Sequence, residues 1–124
     1  MENNFDVMNN VKGLLIFVLF SLLSCLAKQH TKQQLISMLR SEDKDSIVDA
    51  VKVIQASNDT SMLFYLLGNA DDPRLVHRID YKGMSIYQIK MNTVKFLTGV
   101  VPETGITYRP DSSIIRFYLS RFKG

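Results

Sequence analysis

From residue 31 onward, apolar positions recur at the three- and four-residue spacing of helices. In "TKQQLISMLRS", Leu35, Met38 and Leu39 share a face. In "SEDKDSIVDAVKVIQAS", Ile47, Ala50, Val51 and Ile54 form one stripe. Ser41 or Asp43 can cap that helix, and acids crowd its first turn, where the helix dipole favours negative charge. "NDTSMLFYLLGNADDP" predicts a third helix with Leu63, Leu66 and Leu67 on one side. Asn58, Asp59 or Thr60 can cap it, Gly68-Asn69 can stop it, and Pro73 closes the segment. The links are only a few residues long, which favours antiparallel packing of neighbouring helices.

The rhythm breaks after Arg74. "LVHRIDYKGMS" is irregular, with Leu75, Ile79 and Tyr81 on alternate positions, so part of residues 75–84 is expected to be extended and to cover the end of the helices. Gly83 turns the chain into "SIYQIKMNTVKFLTG", where Ser85 can cap and Ile86, Ile89, Thr93, Phe96 and Leu97 define a face; Gly99 ends it. "VVPETGITYRP" is a linker with Pro102, Gly105 and Pro110, and Ile106 to Tyr108 are candidates for extended chain. Asp111 or Ser112 starts a last helix striped by Ile114, Ile115, Tyr118, Leu119 and Phe122. The expected fold class is all-α, built of short antiparallel helical hairpins with an irregular insert near 75–84.

"LISMLRSEDKDSIVDAVKVIQASNDTSMLFYLLGNADDPR" resembles HEAT-repeat sequence. It alternates Leu-rich helices with an acidic and a polar turn, carries an Ala-Val pair at Ala50-Val51, and ends on "DDPR" at Asp71 to Arg74. The resemblance implies helical hairpins stacked into a right-handed array that presents a binding surface. No residue of it is catalytic in that family. A plain helical bundle would show the same beats, and the insert departs from a regular repeat. Residues 71–118 also resemble small exported proteins and lipoproteins of Bacteroidetes-type bacteria, which carry no assigned activity.

The front of the chain has a different character. Residues 14–27 are uncharged and rich in Leu, Ile, Val and Phe. That is the length of a signal-peptide core and falls short of the roughly 20 residues a spanning helix needs. "MENNFDV" is acidic and fits a signal poorly, whereas a start at Met8 places Lys12 just before the apolar run. "LLSC", residues 22–25, resembles a bacterial lipobox, with Leu23 where a smaller residue is commoner. The resemblance implies lipidation of Cys25 and cleavage before it, leaving residues 1–24 as signal peptide, 25–31 as tether and 32–124 as the helical domain. Acyl chains, each contributing about 0.8 kcal/mol per buried methylene, then hold the protein on a membrane. An uncleaved anchor helix and a buried helix with a core cysteine are the alternatives. Cys25 is the only cysteine, so no internal disulfide staples the fold.

Charge adds one asymmetry. Residues 25–73 hold five Lys/Arg against seven Asp/Glu, and residues 74–124 hold nine against three. Arg74, Arg78, Tyr81, Lys82, Tyr87, Lys90 and Lys95 therefore bear comparison with a nucleic-acid face. A lipid-anchored protein outside the cytoplasm rarely meets nucleic acid, and an acidic protein or anionic lipid suits that charge better. Chemistry is sparse. His30 and His77 have no partner at ligand spacing. Asp71-Asp72 reads as a turn before Pro73. Glu42, Asp43, Asp45 and Asp49 lack the glycine and terminal acid of a calcium loop. No phosphate loop, nucleophile elbow or zinc spacing occurs.

The expectation is a membrane-anchored helical-repeat protein of the bacterial cell envelope, facing the periplasm or exterior and acting as a protein–protein interaction module. It is expected to be no enzyme and to use no cofactor, metal, nucleic acid or small-molecule substrate. Its contact residues are taken to be Arg78, Tyr81 and Lys82. The alternatives are an immunity-type inhibitor of a toxin and a structural membrane protein with an uncleaved anchor helix.

Overall fold

The structure, a computed structural model, describes residues 12–16 and 29–122. The chain divides into two units, Met1–Thr31 and Lys32–Gly124. In the first, residues 12–16 are helical and exposed. Cys25 and the rest of the expected lipobox lie outside the described residues.

The second unit is all-α. Its helices are α1 (Lys32–Leu39), α2 (Lys44–Ser57), α3 (Leu63–Leu67), α4 (Ile86–Thr98) and α5 (Ser112–Arg121). A 3-10 turn, Thr60–Met62, runs straight into α3, and another spans Ile79–Tyr81. Among the described residues the backbone forms no strand, only an isolated antiparallel bridge between Leu75 and Ser85. Residues 106–108, candidates for extended chain, form no such pairing; Ile106 packs against the core.

Local chemistry sets the helix starts. The Asp43 carboxylate accepts from the Asp45 and Ser46 amides and opens α2. Asp59 accepts from the Ser61 amide, Ser85 Oγ from Gln88 N, and Asp111 from Ser113 N. Each satisfies a donor that the first turn of a helix leaves without an intrahelical partner. Asn58 ends α2 and Gly99 ends α4 in the left-handed region, at φ 50° and 66°. At the end of α3 the left-handed residue is Asn69 (φ 49°), while Gly68 is extended.

Packing then orders the elements. α4 lies against both α2 and α3; α1 lies against α2 and α3; α5 lies against α3. Because α4 has neighbours on two sides, it buries more than one stripe. Tyr87, Lys90, Met91 and Val94 are buried together with Ile86, Ile89, Thr93 and Leu97. Phe96, expected on the core face, is instead 55% exposed. In α5, Ile114 and Tyr118 are buried, whereas Ile115, Leu119 and Phe122 are half-buried at the margin. Tyr118 Oη donates to the Val100 carbonyl at 2.6 Å and so ties α5 to the chain leaving α4.

Candidate protein-contact insert

Residues 75–84 form a loop closed at its neck. Val76 N donates to Met84 O at 2.8 Å, and Gly83 N donates to Val76 O at 3.2 Å. Ile86 N donates to Arg74 O at 3.0 Å, just outside the Leu75–Ser85 bridge. Gly83 sits at φ 80°, where a Cβ is strained, so the return of the loop calls for glycine. One side chain plugs the loop into the core: Val76 is 1% exposed.

The rest of the insert leans on the outer face of α2. Asp49 and Lys52, three residues apart, lie one above the other on that face. Arg78 Nη1 donates to Asp49 at 2.6 Å, and its Nε lies 3.7 Å from Asp80. Lys52 pairs with Asp80 and also lies over the Tyr81 ring, 5.8 Å from its centroid. Lys44 Nζ donates to the Leu75 carbonyl at 2.7 Å. The hydrogen bond to Asp49 outweighs desolvation and raises the Arg78 pKa, while Lys52 holds the Asp80 carboxyl below its ordinary value.

These contacts separate the three sequence-derived candidates. Arg78 is half-buried and spent on Asp49 and Asp80. Tyr81 is half-buried and packs against the core. Lys82 is exposed. The most prominent residue is one that alternation suggested would be covered: Ile79 is 98% exposed at the start of the 3-10 turn. Leu75 is also 42% exposed. Alternation failed here because residues 79–81 coil into a 3-10 turn, so side chains two apart no longer share a face. Asp49 and Lys52, at i and i+3, read in the sequence as a surface pair within α2, so nothing local marked them as partners of the insert.

The wider basic set does not form one face. Tyr87 and Lys90 are buried in α4, and Arg74 is engaged by the Asp72 carboxylate through Nε at 3.0 Å and Nη2 at 2.7 Å. Asp72 also accepts from the Arg74 amide, closing the turn around Pro73. Of the acidic cluster, Asp43 caps α2 and Asp49 holds Arg78. His77 is exposed and His30 half-exposed. Among the described residues no group of three His, Cys, Asp or Glu could hold a metal ion, and no helix is long and apolar enough to cross a membrane.

An open apolar groove lies elsewhere, among α3, α4 and α5. Leu63, Phe64, Leu67, Leu97, Leu119 and Phe122 wall it, and Phe64 is 68% exposed.

No protein family, curated protein or solved structure matches this chain.

Proposed function

We propose that the chain is a lipid-anchored, HEAT-like interaction module of the bacterial envelope that docks a partner protein through the tip of its 75–84 insert. The observation that carries the reading is Ile79, 98% exposed on a turn whose neck is closed by backbone hydrogen bonds and plugged by buried Val76, with Arg78–Asp49 and Lys52–Asp80 beside it. A large aliphatic side chain on a braced turn loses little freedom when a partner covers it, so most of its burial contributes to affinity. His77 and Lys82 supply an exposed polar rim beside it. Arg78 and Tyr81 act in this reading as supports of the tip, and Lys82 as a contact.

The anchor rests on the lipobox resemblance at Cys25. Metabolic labelling with a palmitate analogue is expected to tag the protein, and Cys25→Ser to remove both tag and membrane retention. A Cys25→Ser protein that still fractionates with membranes replaces the lipid anchor with an uncleaved helix.

The docking site is tested by placing a photo-crosslinking residue at position 79 in the native envelope, with position 56 on the exposed side of α2 as control. A discrete adduct from position 79 alone supports the tip. Equal adducts from both positions, or none from position 79, move the docking surface elsewhere.

A further inference from the structure

Lys90 does no work in the insert, and its surroundings are unusual for a lysine. Its side chain is 1% exposed, and lysines are almost never fully buried without a charged partner. Lys90 makes no ion pair with any described residue. Its one hydrogen bond runs from Nζ to the Asn69 carbonyl at 3.3 Å, just beyond the usual range. An ammonium has three protons to donate, so two are left over.

Lys90 lines an open depression of about 450 Å³ between the α1–α2 turn and the chain after α3. Arg40, Ser41 and Asn69 line the same pocket. Arg40 makes no ion pair with a described residue, and the Asn69 side chain has no hydrogen-bond partner among them. Two carboxylates, Asp72 and Glu42, also line it; Arg74 pairs with the first through its guanidinium, while its bond to Glu42, at 2.5 Å, goes to the backbone carbonyl and leaves that carboxylate without an ion pair among the described residues. Among the lining residues three cations stand against two carboxylates, while Asp71 and Asp43 act on Lys90 and Arg74 from just outside the lining. Its free donors come from three separate parts of the chain. Burial presses the Lys90 pKa down further than the nearby Asp72 and Asp71 carboxylates lift it, and a bound anion would add to their side.

We propose that this pocket is a receptor for a small oxyanion, free phosphate or the phosphate of a monoester, held by Lys90 and Arg40 with Ser41 Oγ and the Asn69 amide beside them. The site is separate from the insert and stands or falls apart from it. It departs from the sequence-based expectation that no small molecule is bound.

The test uses the full chain in detergent micelles, in phosphate-free buffer near neutral pH. Inorganic phosphate is titrated to about 10 mM, well above a Kd of about 1 mM, while backbone amide resonances are followed. Saturable shifts at Arg40, Ser41 and Asn69 are expected. Lys90→Met, close in volume, should weaken binding at least roughly tenfold, and Lys90→Arg should retain it. Arg40→Ala, at an exposed position, should also weaken binding and decides the matter if Lys90→Met does not fold. Glycerol 3-phosphate shifting the same amides points to a monoester, and its failure to do so points to free phosphate; both support the site. Shifts with acetate that match those with phosphate overturn the choice of phosphate. No saturable shift, or unchanged binding in the folded variants, overturns the receptor itself.

Discussion

Val76→Ala is expected to loosen the insert more than any single change among its ion pairs. Val76 is 1% exposed, and alanine removes two of its methyl groups. At about 0.8 kcal/mol per buried carbon, plus a contribution from the cavity left behind, the loss is about 2 kcal/mol. That is a large share of a typical total of about 5–15 kcal/mol. The ion pair beside it sits in a different medium. The Arg78 and Asp49 side chains are 31% and 52% exposed, so water and salt screen their attraction, and Arg78→Ala should leave the melting temperature nearly unchanged. Urea melts give the global stability of each variant. Hydrogen exchange at the Gly83 and Met84 amides reads the insert itself, because their bonds to Val76 O and Tyr81 O close the loop. If the insert opens as a local unit, Val76→Ala should speed exchange there by roughly 30-fold, the factor that corresponds to about 2 kcal/mol. An Arg78→Ala protein that loses as much stability or protection as Val76→Ala would refute the reasoning, since charge and not burial would then hold the loop.

Other changes separate core from margin and charge from burial. Leu66→Ala, at a fully buried site where α3 meets α4, should lose about 2–5 kcal/mol, whereas half-buried Ile115 should lose clearly less; equal losses in urea melts would mean that α5 is packed more tightly than its exposure implies. Burial pushes the Asp72 carboxyl up, but the Arg74 hydrogen bonds and charge prevail and hold it below its ordinary value. Its stabilising effect is therefore present above the unfolded pKa of about 3.9 and fades as the pH falls through the lower folded value, so Asp72→Asn should flatten part of the acid limb of the stability profile. Lys90 behaves in the opposite sense. Its folded pKa is depressed, so the unfolded chain binds more protons, and stability should rise with pH between the folded value and about 10.4, a rise that Lys90→Met removes.

The helix starts were legible because each depends on one short side chain and amides two or three residues away. Asp43, Asp59, Ser85 and Asp111 all cap as their positions suggest. Gly99 was legible for the same local reason. The all-α class followed from the apolar spacing. The misreadings arise where a distant element decides. Periodicity gives α4 one stripe, but its two flanking helices bury Tyr87 and Lys90 as well and leave Phe96 at the surface. At the end of α3, Gly68 and Asn69 could both stop a helix, and the backbone uses Asn69 as the left-handed residue. In the insert, Val76 and Ile79 are both β-branched and apolar, yet one is buried and the other almost wholly exposed. Nothing local distinguishes them; the closed neck and the 3-10 turn do. Of the oxyanion pocket only the residue types were visible, because Arg40, Asn69 and Lys90 meet only once α1, α3 and α4 have packed.

The closed neck of the insert carries a consequence for how this chain can change over generations. Arg74 to Val76 and Gly83 to Ile86 clasp each other through backbone groups, which most side chains other than a replacement at Gly83 leave in place. Residues 77–82 lie beyond that clasp; Val76, at its edge, is the loop's fully buried side chain, Tyr81 packs on the core margin, and Arg78 and Asp80 touch α2 through partly exposed ion pairs. The tip is thus in effect a cassette. It can be lengthened, shortened or rewritten while the start of α4 stays where Ser85 fixes it, and longer surface loops add little entropic cost, about 0.6 kcal/mol per doubling. Selection on what the tip touches and selection on whether the helices stand can then proceed on nearly separate residues.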